Sequence, residues 1–551
     1  MTFAPYFHAA EITCFKSGSN TVTVAEGHGT APHGTLAELA DTISSTATIY
    51  ASDTGYRTLP TDAGGPLPYP PLLAQAFQIN VAMNLDPSQS GAAAAWGALN
   101  LANPDGRFNA IAATWNSDGR PVVVRRGQKT FDRARGIFLD PGIATLSVAF
   151  AGVATPWFLS DTTLQIPLRD ATYWLQQPLQ TTSYGGTGTY DGTADLTGKP
   201  KPKARGGTSG NPICNVTPTL IDPTNRIYQY NDAAGTVVNL YEGGAKTITF
   251  SADTTNLYAG STPAGQYRTD NSGGLFQLGS VPVHTITADV TGQFPVAGVK
   301  NTVASIAHYL LTEDLSLPSA NFDSASFSAV DTAYPYTAGV YFDSSTVIDG
   351  LTAIAAVLSG LGAKLVPFKD GTLRLVALRA LAVTATAADT WDTTKLVSLT
   401  PVALPATLDP PPFRARVGYN HNYTVQTSDL NTATATAAQI QFIASADRFA
   451  AFSSGAILTS YQRPNDLAPV IGALLKSTDA QTVANDLGAL WGTRRRLYNA
   501  VVPIPLAVAR DVGDVVNVVF PMDDLASGKL GQIVGMQFNS GDASVTFTVL
   551  V

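Results

Sequence analysis

The feature that most constrains this chain is how short its apolar runs are. Val, Thr, Phe and Tyr recur in brief blocks, each closed by Gly, Pro, Asp or Asn. β-Branched and aromatic side chains suit a pleated, half-buried surface, and such frequent punctuation leaves little room for long helices, so the expected fold is mainly β with small α+β insertions. Thr21-Val22-Thr23-Val24, residues 120–126, Thr247-Ile248-Thr249-Phe250, residues 372–376 and residues 544–551 read as strands. Three stretches carry helical spacing instead. Val303, Ile306, Ala307, Leu310 and Leu311 form one apolar face over residues 299–311, and Leu351, Ile354, Ala355, Leu358 and Leu361 do so over 349–365. Residues 466–498 are expected to hold two helices, because Ser477-Thr478-Asp479-Ala480 supplies a fresh N-cap before Val483, Leu487, Leu490 and Trp491. Arg494, Arg495 and Arg496 then complement the negative helix end. Asp370-Gly371, between the apolar runs 366–368 and 372–375, signals a tight hairpin.

At 551 residues and 45% hydrophobic content, the chain has material for three to five compact units. Only 13% of residues are charged, about half the usual share, so much of the surface is built from Thr, Ser, Asn, Gln and backbone. Thirty-three Lys and Arg stand against 41 Asp and Glu, a net charge of −8. That balance gives no basic face for phosphate neutralisation and argues against a sequence-reading DNA binder. Cys14 and Cys214 allow neither a disulfide framework nor a four-sulfur zinc site. The first ten residues lack a cationic segment followed by an apolar one, so assembly in a reducing cytoplasm is expected. The apolar stretch 351–366 is interrupted by Ser359, Gly360, Gly362 and Lys364 and falls short of a bilayer span.

Proline-rich stretches at 58–71 and 401–412 mark seams, expected as extended connectors without helix or central strand. Residues 185–211, rich in Gly, Lys and Pro, read as a long loop. No short-period repeat is present.

Catalytic patterns are sparse. His8, His28, His33, His284, His308 and His421 form no HExxH or HxH pair; His28 and His33 come closest, inside a Gly/Pro turn that reads as a solvated loop. His308 falls within the pattern of its helix. Residues 192–199 imitate a phosphate loop but space Gly192 and Gly198 by five residues and place Pro200 where magnesium binding needs Ser or Thr. No GxSxG elbow occurs. Glu313-Asp314 and Asp523-Asp524 read as solubilising acids, since a glycosidase pair depends on a separation in space. Asn215-Val216-Thr217 and Asn422-Tyr423-Thr424 match glycan acceptors, which matter only after secretion. Trp96, Trp115, Trp157, Trp174, Trp391 and Trp491 are scattered and read as packing residues. We therefore assign no catalytic, cofactor-binding or metal-binding residue from sequence, and expect a non-enzyme.

One ordered series is specific. Ala98-Leu99-Asn100-Leu101-Ala102-Asn103-Pro104-Asp105-Gly106-Arg107-Phe108 runs a strand into an Asn/Asp/Gly turn and is followed by Asp118-Gly119-Arg120-Pro121-Val122-Val123-Val124-Arg125-Arg126-Gly127. Then come a strand and Arg-Asp element over 164–170, Tyr184-Gly185-Gly186-Thr187-Gly188, Leu196-Thr197-Gly198-Lys199-Pro200-Lys201-Pro202, Asn215-Val216-Thr217-Pro218, Ile221-Asp222-Pro223 and Tyr241-Glu242-Gly243-Gly244. Near the end, Arg494-Arg495-Arg496 leads to Val512-Gly513-Asp514-Val515-Val516-Asn517-Val518, Gly528-Lys529 and Ile533-Val534-Gly535-Met536. This order resembles the baseplate and tail-tip hub proteins of bacteriophages, of the siphophage and gene-transfer-agent type, over residues 75–310 and 410–551. Residues 204–211 are longer than the family's usual loop.

The resemblance implies two tail-tube-like β-barrel or sandwich domains at 75–180 and 401–551, the second with a helical insertion. It implies an N-terminal β segment and connector at 1–74, a Gly/Pro-rich loop and β domain at 181–298 and a small α+β domain at 299–400. It further implies a homotrimer whose paired modules turn a sixfold tube into a threefold tip. Its neighbours would be a distal tail protein, a tape-measure protein and fibre or spike proteins, and DNA would pass through the lumen without sequence-specific binding. Three chains carry −24 by the net charge of one, and a lumen of like sign would let DNA slide. The implied location is the tail tip of a virion assembled in the bacterial cytoplasm. A virion receptor-binding or polysaccharide-degrading protein is the alternative of a different class, with a surface adhesin behind it.

Overall fold

The computed structural model describes residues 6–16, 45–75, 78–89, 91–539 and 543–551; Thr21 to Val24, His28 and His33 lie outside them. The fold is mainly β, with 39% strand and 17% helix. Two eight-stranded sheets dominate. The first runs in the order Ser45–Ser52, Tyr6–Lys16, Pro121–Gln128, Ser147–Ala154, Thr163–Arg169, Ala98–Ala102, Leu73–Gln75, with Phe158–Leu159 folded back on Thr163–Arg169, and its strand pairs are antiparallel. The second runs Asp389–Trp391, Val515–Val518, Lys529–Asn539, Ser544–Leu550, Leu497–Pro503, Ser398–Val402.

Alternation explains these strands. In Pro121–Gln128, Val122, Val124 and Arg126 are buried while their neighbours are not, and in Ser544–Leu550 the buried positions are Val545, Phe547, Val549 and Leu550. Each buried Val or Phe contributes about 1.5–3 kcal/mol relative to exposure. The hairpin Gln78–Met83 with Ala92–Ala95 comes early in the chain yet pairs with the far half of Lys529–Asn539, Gly535 opposite Ala82 and Phe538 opposite Ile79. Sheet membership therefore crosses residue 74 in one direction and ties residues 78–95 to the last strands in the other. A single core runs from Ala10 through both sheets to Leu550.

Residues 203–342 supply two five-stranded sheets. One gathers Ile213–Val216, Gly235–Glu242, Ile286–Gly292, Lys203–Gly206 and Gly339–Phe342; the other gathers Thr219–Asp222, Ile227–Gln229, Leu275–Leu278, Gln266–Asp270 and Thr249–Asp253. Their own core holds an aromatic cluster, with Tyr228 stacked on Phe276 at 5.1 Å and Tyr230 and Tyr267 beside it. The helices Val303–Tyr309, Ser324–Ala333 and Gly350–Leu358 pack with the hairpin Ala363–Pro367 and Leu373–Ala377 as the α+β insertion.

Several expectations are corrected. Residues 185–211 are not loop throughout: they close with the buried strand Lys203–Gly206. The helix expected over 349–365 stops at Leu358, because Gly360 and Gly362 adopt positive φ and release the chain into a strand. Residues 466–498 hold one helix, Ser477–Trp491; Pro469 and Gly472 interrupt the preceding segment, which pairs as bridges instead. Its N-cap is Lys476 without a side-chain bond, and Asp479 instead accepts the Thr337 N–H at 3.0 Å. At the other end Arg495 donates to the Leu490 and Ala489 carbonyls at 2.7 and 3.2 Å, the dipole-compensating role expected of it. Pro401 sits in Ser398–Val402, an edge strand, where its missing N–H is tolerated.

One buried acid sets a pH dependence. Burial pushes the Asp511 carboxyl up to about 6, only partly offset by Lys369 at 3.9 Å and the Val512 N–H at 2.9 Å. An unfolded aspartate ionises near 3.9. The folded state therefore holds a proton that the unfolded chain has lost between these values, and the group's contribution falls as pH rises from about 4 to 6 and stays low above. Asp511→Asn keeps the acceptor for Val512 and is expected to gain on the order of 2 kcal/mol over the native chain at pH 8 relative to pH 4. Urea unfolding of both proteins at the two pH values measures it; an unchanged difference refutes it.

Candidate functional site

The most concentrated chemistry lies on the strand the sequence concealed. Lys203 and Arg205 project to one side of Lys203–Gly206, which pairs with Gly339–Phe342. Asp232 comes from the turn beyond Ile227–Gln229, and Asp314 from the π-helical turn Leu310–Asp314 that extends Val303–Tyr309. Lys203 Nζ lies 2.6 Å from Asp232 Oδ2 and 2.8 Å from Asp314 Oδ1. Arg205 grips Asp314 through Nε at 3.1 Å and Nη2 at 2.8 Å, and reaches Asp232 at 2.9 Å and Asn231 Oδ1 at 2.9 Å. The four charged side chains are 0–6% exposed, and the guanidinium lies over Phe294 at 5.1 Å. Burial alone would raise the Asp314 carboxyl, yet Arg205 and Lys203 hold it below its ordinary value. Two cations thus meet two anions in one balanced group, in which Asp232 Oδ1 faces Arg205 as an ion pair without a directed hydrogen bond. The group fastens the central sheet, through Lys203 and Arg205, to the helical insertion that carries Asp314.

The other sequence candidates resolve as framework. Glu313-Asp314 is no glycosidase pair, since Asp314 is committed to the quartet. Asp523 and Asp524 are exposed, accepting from Tyr498 at 2.7 Å and from Arg496 at 2.9 Å. The two glycan-acceptor asparagines meet inside the protein: Asn215 Nδ2 donates to Asn422 Oδ1 at 2.7 Å, and both residues are 1% exposed. Cys214 beside them donates to Asn420 Oδ1 at 2.7 Å, its thiol pushed up to about 12 by burial; Cys14 is buried as well. His8, His284 and His421 each face one aspartate, Asp53, Asp429 and Asp447, at 2.9, 2.8 and 2.8 Å. His308 lies among Tyr309, Phe322 and Phe327, 3.3 Å from Ser324 Oγ, and burial lowers its pKa. Residues 192–199 form 3-10 turns, not a strand feeding a helix. Trp96, Trp391 and Trp491 are buried, and Trp174 is the exposed one among the described tryptophans. Among the described residues no three His, Cys, Asp or Glu side chains gather as metal ligands, and no helix is long and apolar enough to cross a membrane.

Among the described residues, what remains unpartnered is sheet edge. All five residues of Thr249–Asp253 are exposed, with Phe250 at 55%. Phe158 is 62% exposed on its short strand, and Ile137, Phe138 and Leu139 are exposed together on the two-stranded hairpin Thr130–Asp132 with Ile137–Leu139. Ser398–Val402 and Ser45–Ser52 end the two large sheets. Open strands carrying large apolar side chains invite pairing with another chain.

A further charge escaped the sequence reading. Arg126 sits at an inward position of Pro121–Gln128 and is 8% exposed, opposite His8 and Ser147 on the flanking strands. The alternation Val122, Val124, Arg126 was its visible signal.

No protein-family model and no curated protein sequence matches the chain. Among solved structures it is similar to a tail protein from Neisseria meningitidis MC58, at 9% identity and a TM-score of 0.34, over 90% of this chain and 96% of that one. It is similar to the 43 kDa tail protein of prophage MuSo2 from Shewanella oneidensis, at 9% identity and a TM-score of 0.32, over 90% and 95%. A chain from the virion of a native gene transfer agent particle aligns at 11% identity and a TM-score of 0.34, over 64% and 84%. These scores lie below those of a shared fold.

Proposed function

We propose that the chain is a structural protein of a bacteriophage-type tail, the hub of a baseplate or tail tip. The observation that carries this reading is the pair of eight-stranded sheets in one chain, each ending in open strands. The ordered motif series over residues 75–310 and 410–551 supports it. The modules 75–180 and 401–551 are each built around one large sheet, with residues 1–74 and the hairpin at 78–95 contributing added strands. Three copies form a ring, so that six such sheets surround the axis, joining tail tube to tip and leaving a passage for DNA. Closed rings of this kind use head-to-tail contacts in which different edges meet. The low charge content suits permanent interfaces, because few ions need to be desolvated. No reaction is assigned to it.

Electron imaging of the assembled particle tests this: three copies around the tail axis are expected. A chain found in no particle, sedimenting as a stable monomer at high concentration, would remove the proposal.

A further inference from the structure

Where the two large sheets face each other, a small cavity is left between the strands carrying Arg126 and Val148 on one side and Ile79, Met536 and Phe538 on the other. Its volume is about 50 Å³, and Ile504 and Val508 close one wall. On the usual scale a water needs about 10–15 Å³, so the space holds roughly three to five such groups.

Arg126 is the polar residue that does not fit this apolar setting. Its guanidinium lies over the Tyr6 ring at 4.9 Å and the Phe538 ring at 5.3 Å. Aromatic faces stabilise the charge, but they accept none of the N–H donors that lie in the plane of the fork. Among the described residues Nε is buried without an acceptor, and Arg126 makes no ion pair. Asp53, the acid whose field reaches it, is taken by His8, accepting its backbone N–H at 3.0 Å and facing its ring nitrogen at 2.9 Å. Lys369 also lines the cavity, but its ammonium donates to the Val508 and Arg510 carbonyls at 2.7 and 3.0 Å. Among the described residues no carboxylate lines the space. A buried cation without a counter-ion is costly to retain, and replacing it by a hydrophobe would ordinarily favour stability.

We propose that this cavity is a carboxylate-binding site: the Arg126 fork pairs with a carboxylate on a short aliphatic stem, which rests against Ile79, Val148 and Met536. The size admits a propionate or the end of a glutamate side chain, and a planar fork is matched to a carboxylate in two-point contact. The acid has two possible sources, a free short-chain acid or an acidic side chain on another polypeptide. The site stands independently of the tail-hub reading.

Propionate is the first probe. At matched ionic strength, it is expected to raise the thermal midpoint of the native chain by about 1–3 °C over chloride, and Arg126→Met is expected to abolish the shift. Crystals soaked in 3-bromopropionate supply a second measurement that needs no variant, with the bromine expected in the cavity beside Arg126. N-acetylglutamate amide, tested alongside, separates the sources: a larger shift than propionate assigns the site to a polypeptide acid, a smaller one to a free acid. No shift with either compound, an equal shift in Arg126→Met, or bromine located elsewhere overturns the proposal.

Discussion

Replacing Asp314 by Asn is expected to lower the unfolding free energy by about 3–5 kcal/mol, the loss that follows when one member of a buried charge group is neutralised. The side chain keeps its shape, so the effect is electrostatic. Arg205 loses its two-point partner, Lys203 keeps only Asp232, and a balanced group acquires a net positive charge among side chains that are at most 6% exposed. Adding Lys203→Met restores neutrality around Arg205 and Asp232. The double variant should therefore lose clearly less than the sum of the two single losses, a coupling that marks residues acting as one group. Urea denaturation of the four proteins of this cycle decides it; additive losses, or a single loss below about 1 kcal/mol, would show that the quartet is solvated and dispensable.

Gly292→Ala is expected to be as damaging by a different route. Lys203–Gly206 meets Ile286–Gly292 where Gly206 pairs with Gly292, and a β-carbon on Gly292 would stand 1.9 Å from the Ala204 carbonyl oxygen and 2.7 Å from the Arg205 nitrogen. Overpacking against side chains costs about 1–3 kcal/mol because they can rotate away. Here the obstacle is backbone on the strand that carries the quartet, so at least the upper end of that range is expected, together with loss of soluble protein on expression. Gly455→Ala is the matched control: it opens the helix Gly455–Ser460, nothing lies within 4 Å of its added carbon, and its effect should stay within about 0.5 kcal/mol. A thermal midpoint for Gly292→Ala equal to that of the control would disprove the steric account.

These two sites show where sequence reading succeeds and where it stops. Strands with one buried face were legible, because the period of two is written locally: the expected strands 120–126 and 544–551 are found as Pro121–Gln128 and Ser544–Leu550, and Asp370-Gly371 turns the hairpin between Ala363–Pro367 and Leu373–Ala377. The helix beginning at Val303 was legible from its spacing, capped by Thr302 and Ser305 in reciprocal contact. Lys203 and Arg205 were not, since their alternation looks like a solvated loop until partners 29 and 111 positions away are placed beside Lys203. The segment before Ser477 misled for the same reason: apolar spacing promised a helix, while bridges from Val470 to Val417 and from Leu474 to Ala338 claimed its backbone. Long-range pairing leaves no trace in a local window.

The early hairpin has a consequence for biogenesis. Residues 78–95 find their sheet partner only at residues 535–539, so on the ribosome they wait, with Ile79, Val81 and Met83 uncovered, until more than 400 further residues have been made. Closing so wide a loop is slow and exposes the nascent polypeptide to aggregation. A product that ends before residue 535 cannot cover that hairpin, and keeps an apolar strand open to chaperones and proteases.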